Sequence, residues 1–203
     1  MPGLAAAAAI LAGGRARRLG GIAKPLVELG GWRIIDRQLA VLRPLFGAIA
    51  IVTNDPAPYG GLDIEIVADR MGPGLGPLAG LDAALAWLPA EANALVCVAG
   101  DMPFLAPPLV QHLRDAAGSP ALVPRLARGP EPLCARYDRT LAPLVGAMLA
   151  AGERAMHVFV ERAAPVFLDE DALRAFDPEL RTFMNVNDPS ELDAARAAAW
   201  SRP

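Results

Sequence analysis

Along this chain, short apolar runs alternate with longer stretches in which apolar residues recur at helical spacing. The runs Ala6–Leu11, Ala48–Thr53, Asp63–Val67, Ala94–Ala99 and Ala121–Pro124 are bounded by turn residues and predict strands. Between them, Arg33–Leu42 and Pro77–Leu88 carry a helical pattern, as does Pro107–Ala116 after the fourth run. Farther on, Pro132–Tyr137 and Pro165–Leu168 predict strands, Asp138–Ala151 and Arg154–Arg162 predict helices, and Pro189–Trp200 predicts a closing helix. Strands that alternate with helices use the helices as crossovers, which favours a mostly parallel sheet covered on both faces. The expected fold class is α/β, a single doubly wound domain over residues 1–203.

The first run is almost all alanine, the best helix former, so propensity alone would make it helical. Its position decides otherwise: an apolar run ending at Gly13-Gly14, at the head of a β-α alternation, marks a strand that opens into a loop. The apolar opening Leu4–Ala12 is too short to span a bilayer and has no basic region before it, so the expected location is the cytoplasm, without a membrane partner.

Composition narrows the function classes. A hydrophobic content of 54% excludes a disordered chain, and a formal net charge of −3 excludes a broad basic surface for nucleic acid. Any phosphate recognition must therefore be local. Cys97 and Cys134 stand far apart and outside any CxxC pair, and they read as small buried apolar residues. His112 and His157 lack partners at metal-ligand spacing.

The densest chemical signal is Leu11–Lys24, in which four glycines, three arginines and one lysine follow the first strand. Glycines let backbone approach a polyphosphate closely and turn N–H groups toward it, while the cations offset its charge. The plain alternative is a surface turn with solvated arginines. Two common phosphate motifs fail here. Lys24 is followed by Pro25 rather than Ser or Thr, and Gly72-Pro-Gly-Leu-Gly76 meets Pro77 where GxGxxG needs glycine.

Leu11-Ala12-Gly13-Gly14, then Arg18, an apolar residue, Gly20 and Lys24-Pro25-Leu26 resemble the signature of nucleotidyltransferases that activate sugars and molybdopterin. Thr53-Asn54, Asp69-Arg70, Gly76-Pro77-Leu78-Ala79-Gly80, Gly100-Asp101-Met102-Pro103-Phe104-Leu105 and Asn185-Val186-Asn187 follow in the order seen in molybdenum cofactor guanylyltransferases. The resemblance spans nearly the whole chain and implies a Rossmann-like nucleotide-diphospho-sugar transferase topology. It also implies that the N-terminal half binds GTP and the C-terminal half contributes to molybdopterin binding. Leu11, Ala12, Gly13, Gly14, Lys24, Asn54, Asp69 and Asp101 would contact GTP. Gly76, Pro77, Leu78, Gly80, Asn185 and Asn187 would contact molybdopterin. Arg18, Lys24 and Asp101 would carry the catalysis, and Asp101 would hold Mg²⁺. Gly13 resembles the guanylyl-transferring branch, since cytidylyl-transferring relatives usually have alanine there. Leu19 stands where the family usually has methionine, and Ala23 where an aspartate often precedes the lysine, which affects how Lys24 is oriented.

Residue chemistry supports part of this independently. Asp101 follows an apolar run, so it lies at the carboxyl end of an expected strand, where α/β ligands bind. Mg²⁺ needs only one or two carboxylates besides phosphate oxygens and water. Asp101 as the cap of the next helix is the structural alternative. Asn54 and Asp69 taken singly are ordinary turn residues, and Pro77 is an ordinary first-turn proline. Asp188 is a candidate cap for the closing helix, with Val186 in the core and the two asparagines on one face.

The resemblance implies transfer of GMP from GTP to the terminal phosphate of molybdopterin, with release of pyrophosphate. It also implies transient contacts with cofactor-delivering or molybdoenzyme-maturation proteins, made by a monomer. Three other readings stand beside it: the same chemistry with CTP, a sugar-1-phosphate nucleotidyltransferase, and a non-catalytic nucleotide or cofactor carrier, which could dispense with Asp101.

Overall fold

The computed structural model describes residues 6–13, 23–72 and 74–198. In chain order the elements are β1 (Ala6–Leu11), β2 (Glu28–Leu29), β3 (Trp32–Arg33), α1 (Ile34–Leu42), β4 (Ile49–Val52), β5 (Glu65–Val67) and α2 (Pro77–Trp87). There follow β6 (Ala94–Ala99), α3 (Pro107–Asp115), β7 (Ala121–Leu126), β8 (Gly129–Pro130), β9 (Cys134–Asp138), α4 (Ala142–Ala150), α5 (Met156–Ala163), β10 (Val166–Asp169), α6 (Glu170–Leu173) and α7 (Pro189–Ala198). Short 3-10 turns at Lys24–Leu26, Ala57–Tyr59, Arg139–Leu141 and Arg181–Phe183 complete the set.

The main sheet runs β10-β7-β9-β6-β1-β4-β5, with β8 on the side of β7, while β2 and β3 form a separate hairpin. β1 pairs parallel with both β4 and β6, β4 with β5, and β7 with β10. Only β9 in the main path runs against its neighbours, β6 and β7. The expected mostly parallel, doubly wound α/β fold is therefore observed, with β9 and the short β8 reversed.

The alanine-rich first segment is the central strand, and all six of its residues are buried. Its alternation splits the core in two. Ala6, Ala8 and Ile10 pack with Ile35 and Leu39 of α1 and Leu109 of α3, whereas Ala7, Ala9 and Leu11 pack with Leu81 of α2, Val145 of α4 and Phe159 of α5. Small side chains suit a strand covered on both faces, because they let helices approach. Here the burial of both faces overrides alanine's helical propensity.

Local backbone chemistry explains the boundary differences. The segment expected from Asp63 starts at Glu65, since Asp63 is left-handed at φ 48. The segment expected from Pro165 starts at Val166, just after left-handed Ala164. The helix expected from Asp138 begins instead as a 3-10 turn, with the Asp138 side chain accepting from Thr140 N–H. Among the described residues no helix is long and apolar enough to cross a membrane.

Candidate functional site

Register alone assembles the site. Leu11 sits opposite Val52 on one side and Ala99 on the other, so β4, β1 and β6 end level with one another. The next residues, Thr53-Asn54, Ala12-Gly13 and Gly100-Asp101, therefore leave the sheet along one edge. The chain steps from β1 to β4, then returns through α2 to β6 on the other side of β1. Such a change of direction opens a crevice at the carboxyl ends of the strands. Here it is a cleft of about 410 Å³.

The floor of the cleft is Leu11, Val52 and Ala99; Gly13, Lys24 and Pro25 form one wall, and Gly74, Gly76, Pro77 and Gly80 of the α2 entrance form another. Gly76 caps α2 with φ 83, a conformation that favours glycine, and Pro77 takes the first helical position. Gly76, Pro77 and Gly80 thus bring the start of α2 to the wall of the cleft. Gly80 admits α2 against the strands, because a Cβ there would already touch Leu11 Cδ2 at 3.4 Å.

Two polar clusters stand on this edge. Above β4 and β5, Asn54 and Asp69 bond reciprocally: Asn54 Nδ2 donates to Asp69 Oδ2 at 2.7 Å, and Asp69 N–H donates to Asn54 Oδ1 at 3.1 Å. Above β6, Lys24 Nζ donates to Asp101 Oδ2 at 2.8 Å and also to Asn187 Oδ1. This pair is part-buried, with side-chain exposures of 24% for Lys24 and 15% for Asp101. Asp101 does not cap α3, whose cap position is Ala106.

The turn that carries Asp101 is tightly framed. Gly100 N–H donates to Leu11 O at 3.0 Å, and a Cβ on Gly100 would come within 2.6 Å of Pro25 Cγ and 3.1 Å of Leu11 O. Only glycine lets the Lys24-Pro25 turn close over this strand end. Val186 N–H donates to Asp101 O at 3.0 Å, so the Asn185–Asn187 segment is stitched to the same turn. Val186 is fully buried with Val27, Leu29 and Ile34. Asp188 accepts from Glu191 N–H at 2.9 Å and Glu191 accepts from Asn187 N–H at 2.7 Å, which fixes the segment at the start of α7.

Most of the sequence-expected residues meet here. Leu11, Gly13, Lys24, Asn54, Asp69, Gly76, Pro77, Gly80 and Asp101 line the cleft, and Ala12 lies buried just behind it. Leu78 is a correction: it is fully buried in the core beneath α2 and presents nothing to a ligand, because the first helical turn directs it toward the sheet. Asn187 reaches the site through Lys24, whereas Asn185 Oδ1 is buried without a partner among the described residues. Gly14, Arg15, Arg17, Arg18, Leu19 and Gly20 lie outside the described residues. The absence of an aspartate at position 23 does not leave Lys24 free, since Asp101 and Asn187 hold its ammonium.

Several residues escaped the sequence reading. Leu133 lines the cleft with no motif to mark it. Glu131, paired with Arg128 at 2.6 Å, has its carboxyl raised above the ordinary range, first by burial against the opposing pull of Arg128, with the charge of Asp101 adding to the rise. Arg70, present in the motif order but given no role there, approaches the buried Asp82 of α2 at 3.6 Å and ties the Asp69 loop to that helix. Gln38, a polar residue on the buried face of α1, has no motif to mark it either.

The MobA-like NTP transferase domain model matches residues 8–166, which takes in most of β1 and all the residues that line the cleft. This chain belongs to that family. Among its relatives, the molybdenum cofactor guanylyltransferase of Rhodobacter capsulatus is 39% identical over 189 residues, covering 92% of this chain and 92% of that protein. The molybdenum cofactor guanylyltransferase of Cereibacter sphaeroides is 34% identical over 190 residues, covering 93% and 94%. The crystal structure of molybdopterin-guanine dinucleotide biosynthesis protein A from Archaeoglobus fulgidus matches with a TM-score of 0.80 at 33% identity, covering 95% of this chain and 97% of that one. A CMP:2-keto-3-deoxy-manno-octonic acid synthetase complexed with CTP shares the fold at a TM-score of 0.70 and 15% identity.

Proposed function

We propose that this protein transfers GMP from GTP to the terminal phosphate of molybdopterin, giving molybdopterin guanine dinucleotide and pyrophosphate. The observation that carries the reading is the Lys24–Asp101–Asn187 cluster, which joins the nucleotide loop, the end of β6 and the Asn-Val-Asn segment within hydrogen-bonding distance. Nucleotide and acceptor would meet at that point. The guanosine would lie toward Asn54 and Asp69, with the polyphosphate over Gly13 and the α2 N-terminus and the acceptor toward Asn187.

The residues present fit Mg²⁺. Asp101 is a part-buried carboxylate at the cleft with one oxygen on Lys24 and one left for a ligand, and the Asn187 amide oxygen lies beside it. Among the described residues no group of three or more His, Cys, Asp or Glu could form a full cage, and Mg²⁺ does not need one because it keeps waters and phosphate oxygens. Bound there, Mg²⁺ would supply charge neutralisation and orientation for the phosphates.

An oxygen of the acceptor phosphate forms a bond to the α-phosphorus, and the bond from that phosphorus to the bridging oxygen of pyrophosphate breaks. Lys24 contributes a fixed positive charge beside the developing negative charge, in a cleft where such preorganised charge is effective. A phosphate monoester has its second pKa near about 6, so the acceptor arrives largely dianionic and no general base is required. By resemblance Arg18 adds a second cation. We place the enzyme in the cytoplasm as a monomer.

The test is to incubate the purified protein with Mg²⁺, molybdopterin and each nucleoside triphosphate, and to identify the product by mass. The guanine dinucleotide is expected from GTP alone. A cytosine product, or no product with any triphosphate, overturns the reading.

A further inference from the structure

Gln38 lies in α1 and is completely buried, on the helix face that also carries Ile35, Leu39 and Leu42. An amide in such surroundings is unfavourable unless its hydrogen-bonding groups find partners. Its Nε2 donates to Ala99 O at 2.7 Å and to Met102 O at 3.0 Å, so both amide hydrogens are used. Those two carbonyls bracket Gly100-Asp101. Its Oε1 is buried and finds no partner among the described residues. The chain thus keeps a half-satisfied amide in its core, and an apolar side chain of similar volume would take this donor away from the buried Ala99 and Met102 carbonyls. A core-filling role does not account for that choice, whereas gripping the two carbonyls does.

We infer that Gln38 is a positioning residue that sets the direction of the Asp101 carboxylate from beneath the turn. The inference rests on the proposed reading of Asp101 as the carboxylate that meets Mg²⁺. The turn is held on its cleft side by Lys24 and by Val186 N–H, and on its strand side by Gly100 N–H. Gln38 holds it from the opposite face, and it touches neither the Asp101 side chain nor the cleft. Its removal therefore lets the turn relax without changing any group that contacts a ligand. Residues that orient a metal ligand in this indirect way typically change metal affinity by about 10- to 100-fold when lost.

The experiment titrates Mn²⁺ into the GTP-bound full chain by electron paramagnetic resonance, for wild type, Gln38→Met and Asp101→Asn. Methionine keeps the volume and flexibility of the side chain and removes both donors. Gln38→Met is expected to weaken Mn²⁺ binding by about tenfold or more, to leave metal-free GTP affinity within about twofold, and to raise half-saturating Mg²⁺ in the transfer assay while kcat at saturating Mg²⁺ largely recovers. Wild-type Mn²⁺ affinity in Gln38→Met, with Asp101→Asn impaired, overturns the role of Gln38 and spares the reading of Asp101. Unchanged affinity in Asp101→Asn overturns both. If Gln38→Met melts too low to assay, Gln38→Asn replaces it, since its shorter side chain cannot reach both carbonyls; Mn²⁺ affinity at the wild-type value in that variant also overturns the inference.

Discussion

The two polar clusters of the cleft are built on opposite principles. Asn54 and Asp69 satisfy each other through two reciprocal hydrogen bonds and stand exposed above β4 and β5. Lys24, Asp101 and Asn187 form a part-buried charged cluster above β6, propped from below by Gln38 and closed by the glycine at position 100. A self-paired amide and carboxylate form a preset hydrogen-bonding edge that can read a neutral group without moving. A buried cation and carboxylate hold charge where water screens it less, which suits a phosphate. On the proposed reading, recognition falls to the exposed pair and transition-state stabilisation to the part-buried cluster.

The strongest way to break that division is Asp101→Asn, which removes the charge and nearly preserves the shape. Turnover is expected to fall by about 10²- to 10³-fold, whereas stability should change by about 1 kcal/mol or less because the Lys24 pair remains partly exposed. Turnover and thermal melting are measured together, and turnover within about tenfold of wild type would remove Asp101 from the chemistry.

Gly100→Ala acts on the same cluster through packing. A Cβ at 2.6 Å from Pro25 Cγ must displace the Lys24-Pro25 turn, so we expect a loss of about 1–3 kcal/mol in denaturant unfolding together with slowed transfer. Unchanged unfolding would show that the turn yields freely.

Asn54→Ala tests the other pole. With Asp69 left unpartnered, the KM for GTP should rise by about tenfold, equivalent to ~1.4 kcal/mol, while kcat stays near wild type. A fall in kcat with KM unchanged would reverse the division of labour.

The smallest effect is expected at Glu131, which stands on neither pole but feels the charge of Asp101. Burial raises its carboxyl above the ordinary range, so the folded chain holds that proton more tightly than the unfolded chain. The stability it contributes is complete below the ordinary carboxylate range and is lost as pH rises through the raised value. Glu131→Gln should flatten that part of the melting-temperature profile against pH, and an unaltered profile would show that Glu131 does not titrate differently on folding.

Much of the fold was legible because hydrophobic periodicity is local. Ala6–Leu11 and Ala94–Ala99 are strands with the bounds that their runs of apolar residues predict. Asp101 was legible as a carboxylate at a strand end, whereas Gln38 sits inside a helical pattern with no motif to mark it. The Gly76-Pro77 start of α2 was readable from backbone preference, yet Leu78 was assigned to the ligand because motif order does not reveal which way a side chain points.

Local pattern was enough to read which segments are strands or helices, which loop is rich in glycine and cations, and which carboxylate ends a central strand. These follow from spacing, propensity and charge within a few residues. Only the tertiary structure decided that β9 runs antiparallel to its neighbours, that Gly100 must admit Pro25, and that Lys24 meets Asp101 and Asn187 across sequence separations of 77 and 163 residues. The physical reason is that these features depend on close packing and strand register, which bring distant residues together only after the whole sheet has formed.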